Sequence, residues 1–175
     1  KGITGTDPIG FENVNELAYD VAEVLLKLSL TGVEKHVALS GGSTPLLLFK
    51  ILTEEPFNNK MHWGNLHFWW VDERCVPAES EESNYGNFKR ILAEKVGLYP
   101  SNVHQVNGHI DGASEVHSYS ALISDSVPQN KGFPCFDLTI LGMGDDGHTA
   151  SLFPNNEHII ESNFTYNDFN KTLIK

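Results

Sequence analysis

A glycine-rich segment late in the chain presents a histidine in a setting suited to proton transfer. The segment from Gly142 to Pro154 reads GMGDDGHTASLFP, with His148 near its centre. The usual pKa of histidine lies close to neutrality, which suits it to act as a general base. Asp146, two residues earlier, is able to orient the imidazole and stabilise its cationic form. A histidine that only packs in the core is the alternative, but the surrounding turn-forming residues favour catalysis.

A second segment, residues 40–45, has the composition of an anion-binding turn. Gly41 and Gly42 allow backbone N–H groups to approach a ligand closely. We expect Ser43 or the following threonine to cap a helix, with Pro45 at its first position. The free N–H groups and partial positive charge of a helix start favour a phosphate or an oxyanion. An ordinary strand-to-helix turn explains the same pattern equally well.

A third segment, the charged triplet Asp72-Glu73-Arg74, follows a very hydrophobic run. Three charges would be costly there if they were buried without partners. Arg74 offers a planar fork of donors that matches a phosphate group. A surface network of ion pairs is the alternative, and the position directly after a strand favours a functional role.

The elements that position these segments are read from hydrophobic periodicity. Apolar runs predict buried strands at 36–40, 66–71 and 136–141, and helical spacing predicts helices at 13–30, 46–52, 85–96 and 115–127. This alternation predicts one α/β domain with a mostly parallel sheet covered by helices on both faces. Ligands bind beyond the carboxyl ends of such strands. We therefore expect the three segments to converge on one edge of the sheet.

The composition of the chain limits the classes of molecule that the protein is expected to bind. The net charge of −11 disfavours nucleic acid and anionic membranes, and no apolar run approaches the length of a membrane span. The N-terminal residues show no signal-peptide pattern, and the two cysteines, Cys75 and Cys135, form no disulfide framework. We expect a cytoplasmic protein. The histidines lack metal-ligand spacing, and packing is expected for His62 and His67 beside tryptophans.

Together, these segments resemble the 6-phosphogluconolactonase family. The matching stretches are 39–45, 70–77 with 83–85, and 136–154, and the similarity extends from about residue 11 to residue 154. The related glucosamine-6-phosphate deaminases share the fold, the first loop and the Asp-Gly-His element. They differ at Arg74 and at Phe153, which stands where they carry a glutamate.

The resemblance implies a Rossmann-like α/β fold, of the kind shared by the deaminases and lactonases. It also implies hydrolysis of 6-phosphogluconolactone in the oxidative pentose phosphate pathway, with no organic cofactor or catalytic metal. His148 is then the general base on water, with Asp146 shaping the site beside it. The residues implied to line or bind the sugar-phosphate lactone are Gly41, Gly42, Ser43, Asp72 and Arg74.

Two other functions stay open. An amino-sugar-phosphate deaminase or isomerase of the same fold would use Asp72 to abstract a carbon-bound proton. A sugar-phosphate sensor would bind the same ligand without turnover. Only 21 residues follow Pro154, so we expect the single domain, residues 1–175, to lack the C-terminal part of the family fold.

Overall fold

The fold is built on a small parallel sheet. The computed structural model describes residues 9–109 and 112–155. Its strands are β1 (Lys35–Leu39), β2 (Leu66–Trp70), β3 (Gln129–Asn130), β4 (Phe133–Pro134) and β5 (Leu138–Ile140). The main sheet has the order β2-β1-β5, and both pairings are parallel. The three predicted strands are therefore confirmed. β1 begins and ends one residue earlier than expected, and β2 and β5 are one and three residues shorter than expected.

The register places the carboxyl ends of these strands side by side. Leu39 is the partner of Trp70 on one side and of Ile140 on the other. The pairing continues just past the strands: the N–H of Val71 donates to the carbonyl of Leu39 at 2.9 Å, and that of Ser40 to the carbonyl of Ile140 at 3.1 Å. The loops that follow all three strands therefore leave from the same edge.

The antiparallel hairpin of β3 and β4 was not predicted. Its turn residues, Lys131 and Gly132, both have positive φ angles, 54° and 83°. Two successive residues of this kind match the right-handed twist of a two-residue hairpin.

The helices follow the predicted pattern with one addition. They are α1 (Val14–Ser29), α2 (Ser43–Leu52), α3 (Phe57–Lys60), α4 (Asn84–Phe88), α5 (Glu94–Val96) and α6 (Gly112–Ser126). A π-helical turn, Lys89–Ala93, joins α4 to α5, so they form one helical stretch close to the predicted 85–96. The short α3 was not predicted. Within the described residues, no helix is long and apolar enough to cross a membrane.

The start of α2 differs from the prediction. Gly42 is its N-cap with φ +111°, and no side chain caps the helix. Ser43 is already helical, and Pro45 occupies the third position rather than the first. Because glycine turns the chain freely at this φ, the helix begins at Ser43, two residues before the predicted first position at Pro45. Among residues 9–109 and 112–155, no side chain therefore accepts a hydrogen bond from the N–H groups at this end of the helix.

Helices cover both faces of the sheet, as predicted. On one face, Trp70 packs against Phe88 of α4 with ring centroids 5.1 Å apart, and Phe88 packs edge-on against Phe49 of α2 at 5.2 Å. On the other face, Tyr119 of α6 lies 6.0 Å from Trp69. Its hydroxyl accepts a hydrogen bond from the N–H of Trp70 at 2.8 Å. Burial on both sides explains why the strands read as continuous apolar runs.

Three histidines, His36, His67 and His104, meet on this second face. The indole N–H of Trp69 donates to Nδ1 of His36 at 3.1 Å, and His67 Nδ1 lies 3.1 Å from His104 Nε2. The His104 ring stacks on Trp69 at 3.7 Å. The bond from Trp69 requires Nδ1 of His36 to be an acceptor, so His36 is neutral. Burial lowers the pKa of His36 and lowers that of His104 from 6.5 to about 4.

Acid should therefore weaken the fold through this cluster. In the unfolded chain the imidazoles of His36 and His104 take up protons near pH 6.5, whereas folded His104 does so only near pH 4. Their contribution to the free energy of unfolding is complete above about pH 6.5 and declines as the pH falls towards 4. We expect His104→Phe, which keeps the stacking, to make the pH dependence of urea unfolding shallower in this window. The exposed His62→Phe serves as the control, and an unchanged slope in His104→Phe would contradict this account.

Candidate active site

Asp72 lies where the three loops meet. The hydroxyl of Ser151 donates to its Oδ2 at 2.9 Å, and the amide of Asn84 donates to its backbone carbonyl at 3.0 Å. Gly41 approaches Asn84 so closely that a Cβ at this position would lie 1.9 Å from Oδ1 of Asn84. The loops after β1, β2 and β5 are thus in contact, and the predicted convergence on one edge is confirmed.

The electrostatics of Asp72 connect it to two other residues of the site. Its side chain is buried, and burial raises the pKa of this carboxyl. The hydrogen bond from Ser151 and the positive charges of Arg74 and His148 oppose that rise. Arg74 and His148 therefore both lie close enough to Asp72 to act on its charge, and they share one side of the molecule.

His148 is held by the turn around it. Its Nδ1 is hydrogen-bonded to Oδ1 of Asp146, which also accepts the backbone N–H of His148 at 3.2 Å. The N–H of Gly144 donates to the carbonyl of His148 at 2.8 Å, and Gly147, with φ +82°, closes the turn. The hydrogen bond from His148 lowers the pKa of Asp146, so this carboxylate is ionised at neutral pH. In neutral His148 the proton then lies on Nδ1, and Nε2 carries the lone pair.

Two neighbours restrict the orientation of this imidazole. A Cβ on Gly144 would lie 2.2 Å from Cε1 of His148, so the ring rests directly on the glycine backbone. The ring of Phe153 lies 4.8 Å away, centre to centre. The His148 side chain is 35% exposed, so the ring is accessible to solvent.

The anion-binding candidates lie on the other two loops. Gly42 and Ser43 are exposed at the start of α2, where the first N–H groups of a helix have no partner within it. Arg74 is half-buried beside Asp72. In the described part of the chain its guanidinium has no hydrogen-bond or ion-pair partner. Free donors of both kinds suit a phosphate or a carboxylate.

Three residues gain roles that sequence reasoning did not give them. Ser151 and Asn84 bond to Asp72 across 79 and 12 positions of the chain. The carboxylate of Glu73 points into the start of α4, where it accepts the N–H groups of Asn84 and Tyr85. All three residues lie in segments that the sequence analysis singled out. Their contacts could not be predicted, because the sequence pattern does not show which residues of distant loops meet.

The described residues contain no group of three or more His, Cys, Asp or Glu side chains able to hold a metal ion.

Comparison with known proteins identifies the family. Residues 12–169 match the family described as glucosamine-6-phosphate isomerases/6-phosphogluconolactonase. The chain belongs to this family. It is 37% identical over 155 residues to a 6-phosphogluconolactonase from Haemophilus influenzae, covering 89% of this chain and 65% of that protein. It is 39% identical over 144 residues to one from Treponema pallidum, covering 82% and 59%. The chain thus spans less than two thirds of these relatives.

Solved structures of the family share the fold. The crystal structure of devB protein is 40% identical with a TM-score of 0.81, over 83% of this chain and 61% of that one. A 6-phosphogluconolactonase from Trypanosoma cruzi is 28% identical with a TM-score of 0.73, over 85% and 62%. A monomeric glucosamine-6-phosphate deaminase, 18% identical with a TM-score of 0.69 over 81% and 56%, is similar in fold alone. The predicted Rossmann-like α/β class is confirmed.

The hydrogen bond from the Ser151 hydroxyl lowers the pKa of Asp72, and this effect can be tested. We expect Ser151→Ala to raise the pKa of Asp72 further, because a donor that stabilises the ionised carboxylate is removed. Carboxyl-carbon NMR titration measures this directly. Ser118→Ala, which removes a hydroxyl that donates to the carbonyl of Ser114 within α6 at 3.0 Å, is the matched control. Identical Asp72 titration in the Ser151→Ala variant and the unsubstituted protein would show that the bond is not made in solution.

Proposed function

We propose that the protein hydrolyses 6-phosphogluconolactone to 6-phosphogluconate, with His148 as the general base on water. The observation that carries this proposal is the pairing of His148 Nδ1 with ionised Asp146, on the same side as Arg74. Relatives named 6-phosphogluconolactonase, similar over most of this chain, support the choice of substrate.

The chemistry needs few parts because a lactone carbonyl is already electrophilic. Nε2 of His148 takes a proton from water as the water oxygen bonds to the carbonyl carbon. Asp146 stabilises the imidazolium that forms. When the bond to the ring oxygen breaks, His148 returns the proton to that oxygen and becomes neutral again. The N–H groups of Gly42 and Ser43 line the lactone and offset charge on the tetrahedral oxyanion. No organic cofactor or metal is required.

Arg74 binds the phosphate in this proposal. Its guanidinium is free of partners within the described residues and presents parallel donors to phosphate oxygens. The phosphate is remote from the reacting carbon, so its binding energy serves to position the lactone. Buried Asp72, whose charge responds to both Arg74 and His148, shapes the site beside them. The substrate is a small soluble anion, and we infer a cytoplasmic enzyme that needs neither nucleic acid nor membrane.

One observation favours a second function. Burial raises the pKa of Asp72, which makes its carboxylate a stronger base of the kind needed to abstract a carbon-bound proton in an amino-sugar-phosphate deaminase. Against this, Phe153 lies against His148, at the position where the deaminases are expected to carry a glutamate. Lactone hydrolysis and ammonia release assayed side by side separate the two functions.

We expect the natural full-length protein to hydrolyse the lactone without releasing ammonia from glucosamine 6-phosphate. His148→Ala should lower kcat by about 10²–10⁴-fold, the range of general base catalysis. Its melting temperature should change little, because the side chain is partly exposed. Rates are corrected for spontaneous lactone hydrolysis, and His148→Asn should be nearly as slow because it cannot accept the proton.

His62→Ala, which removes an exposed histidine outside the site, provides the control and should keep full activity. A stable His148→Ala protein with unchanged turnover would refute the mechanism. Ammonia release in place of lactone hydrolysis would establish the deaminase instead.

A further inference from the structure

A buried carboxylate lies directly beneath the proposed phosphate-binding loop. Glu73 is 1% exposed, although it stands between Asp72 and Arg74. Its Oε1 accepts the N–H of Arg74 at 2.7 Å and that of Asn84 at 2.8 Å. Its Oε2 accepts the N–H of Tyr85 at 2.8 Å and the hydroxyl of Ser83 at 3.3 Å. These donors account for both carboxylate oxygens.

Glu73 is held without a cationic partner. Among residues 9–109 and 112–155, no Lys, Arg or His side chain forms an ion pair with it. Three backbone N–H groups take that place, two of them at the start of α4, where the helix dipole also favours a negative charge. Burial raises the pKa of Glu73, and the hydrogen bonds oppose this rise.

These hydrogen bonds hold the backbone of two residues of the site, Arg74 and Asn84. The backbone N–H of Arg74 is fixed by the carboxylate, while its carbonyl accepts the N–H of Val76 at 2.7 Å. Gly108 lies against the same carbonyl, since a Cβ there would be 1.9 Å from it. The bond to Asn84 fixes the residue that contacts both Gly41 and the carbonyl of Asp72.

We propose that Glu73 is a positioning residue for anion binding, which sets the direction of Arg74 without touching the ligand. This inference rests on the proposed function, in which Arg74 binds the phosphate. A carboxylate is needed because two acceptor oxygens face three backbone N–H groups. Glutamine offers one oxygen, so its NH₂ group must face either the pair from Arg74 and Asn84 or the N–H of Tyr85. One donor then opposes another in a buried place.

A matched control exists on α6. Glu115 is also buried, at 4% exposed, and its Oε1 accepts the N–H of Asn107 at 2.7 Å. Glutamine at this position keeps an oxygen for that bond. Glu73→Gln and Glu115→Gln therefore make the same chemical change at comparable burial, but only the first opposes donors beneath Arg74.

The experiment measures inorganic phosphate binding by calorimetry and lactone kinetics on the natural full-length protein. We expect Glu73→Gln to weaken phosphate binding and raise KM by about 10- to 100-fold, the loss typical of charge-assisted hydrogen bonds. We expect a smaller change in kcat, because His148 lies on another loop. Arg74→Ala should show the same pattern. The double variant should bind phosphate no more weakly than Arg74→Ala alone, because Glu73 acts through Arg74.

Glu115→Gln should bind phosphate as the unsubstituted protein does. If Glu73→Gln does not fold, Glu73→Asp is measured instead, since it keeps the charge but shortens its reach by one methylene. Unchanged phosphate affinity in the folded Glu73 variant, additive losses in the double variant, or phosphate binding that does not depend on Arg74 would each overturn the inference. Arg74-dependent phosphate binding without lactone hydrolysis would count against the proposed function alone.

Discussion

Parallel pairing of β1 with β2 and β5 is the constraint on which the rest of the site depends. Because Leu39 is the partner of both Trp70 and Ile140, the three strands end together and their loops must share one edge. The loops are far apart in the chain, and the bond from Ser151 to Asp72 joins positions 79 residues apart. Asp72 is buried at this junction, where its charge responds to residues on two of the loops.

At this edge of the sheet, two side chains pack directly against the backbone of glycine residues. Gly41 leaves room for Asn84, and Gly144 leaves room for the His148 ring, where a Cβ would lie within 1.9 Å and 2.2 Å of side-chain atoms. The absence of a side chain at these two positions thus gives Asn84 and His148 the space that they occupy. The imidazole is also restrained by Asp146. A general base works best when it is held in one orientation before the substrate arrives.

Much of this arrangement could be predicted from sequence. The apolar runs located the three strands, and their shared burial indicated a parallel sheet whose loops converge. The cap of α2 was predicted wrongly, because the positive φ of Gly42 is a property of the folded turn. The inward direction of Glu73 and the meeting of His36 with two other histidines depend on contacts between distant segments, which periodicity does not encode. The roles of the site residues, and a single domain over residues 1–175, stay predictions. The expectation that the C-terminal part of the family fold is missing concerns residues 156–175, which lie outside the described residues.

We propose that His148 and Arg74 act on opposite ends of one ligand beside Asp72. A crystal structure of the natural full-length protein with 6-phosphogluconate tests this most directly. The account predicts the phosphate on the guanidinium of Arg74 and the carboxylate, which derives from the lactone carbonyl, within hydrogen-bond reach of Nε2 of His148. A ligand bound in the reverse orientation, or bound without contact to either residue, would contradict it.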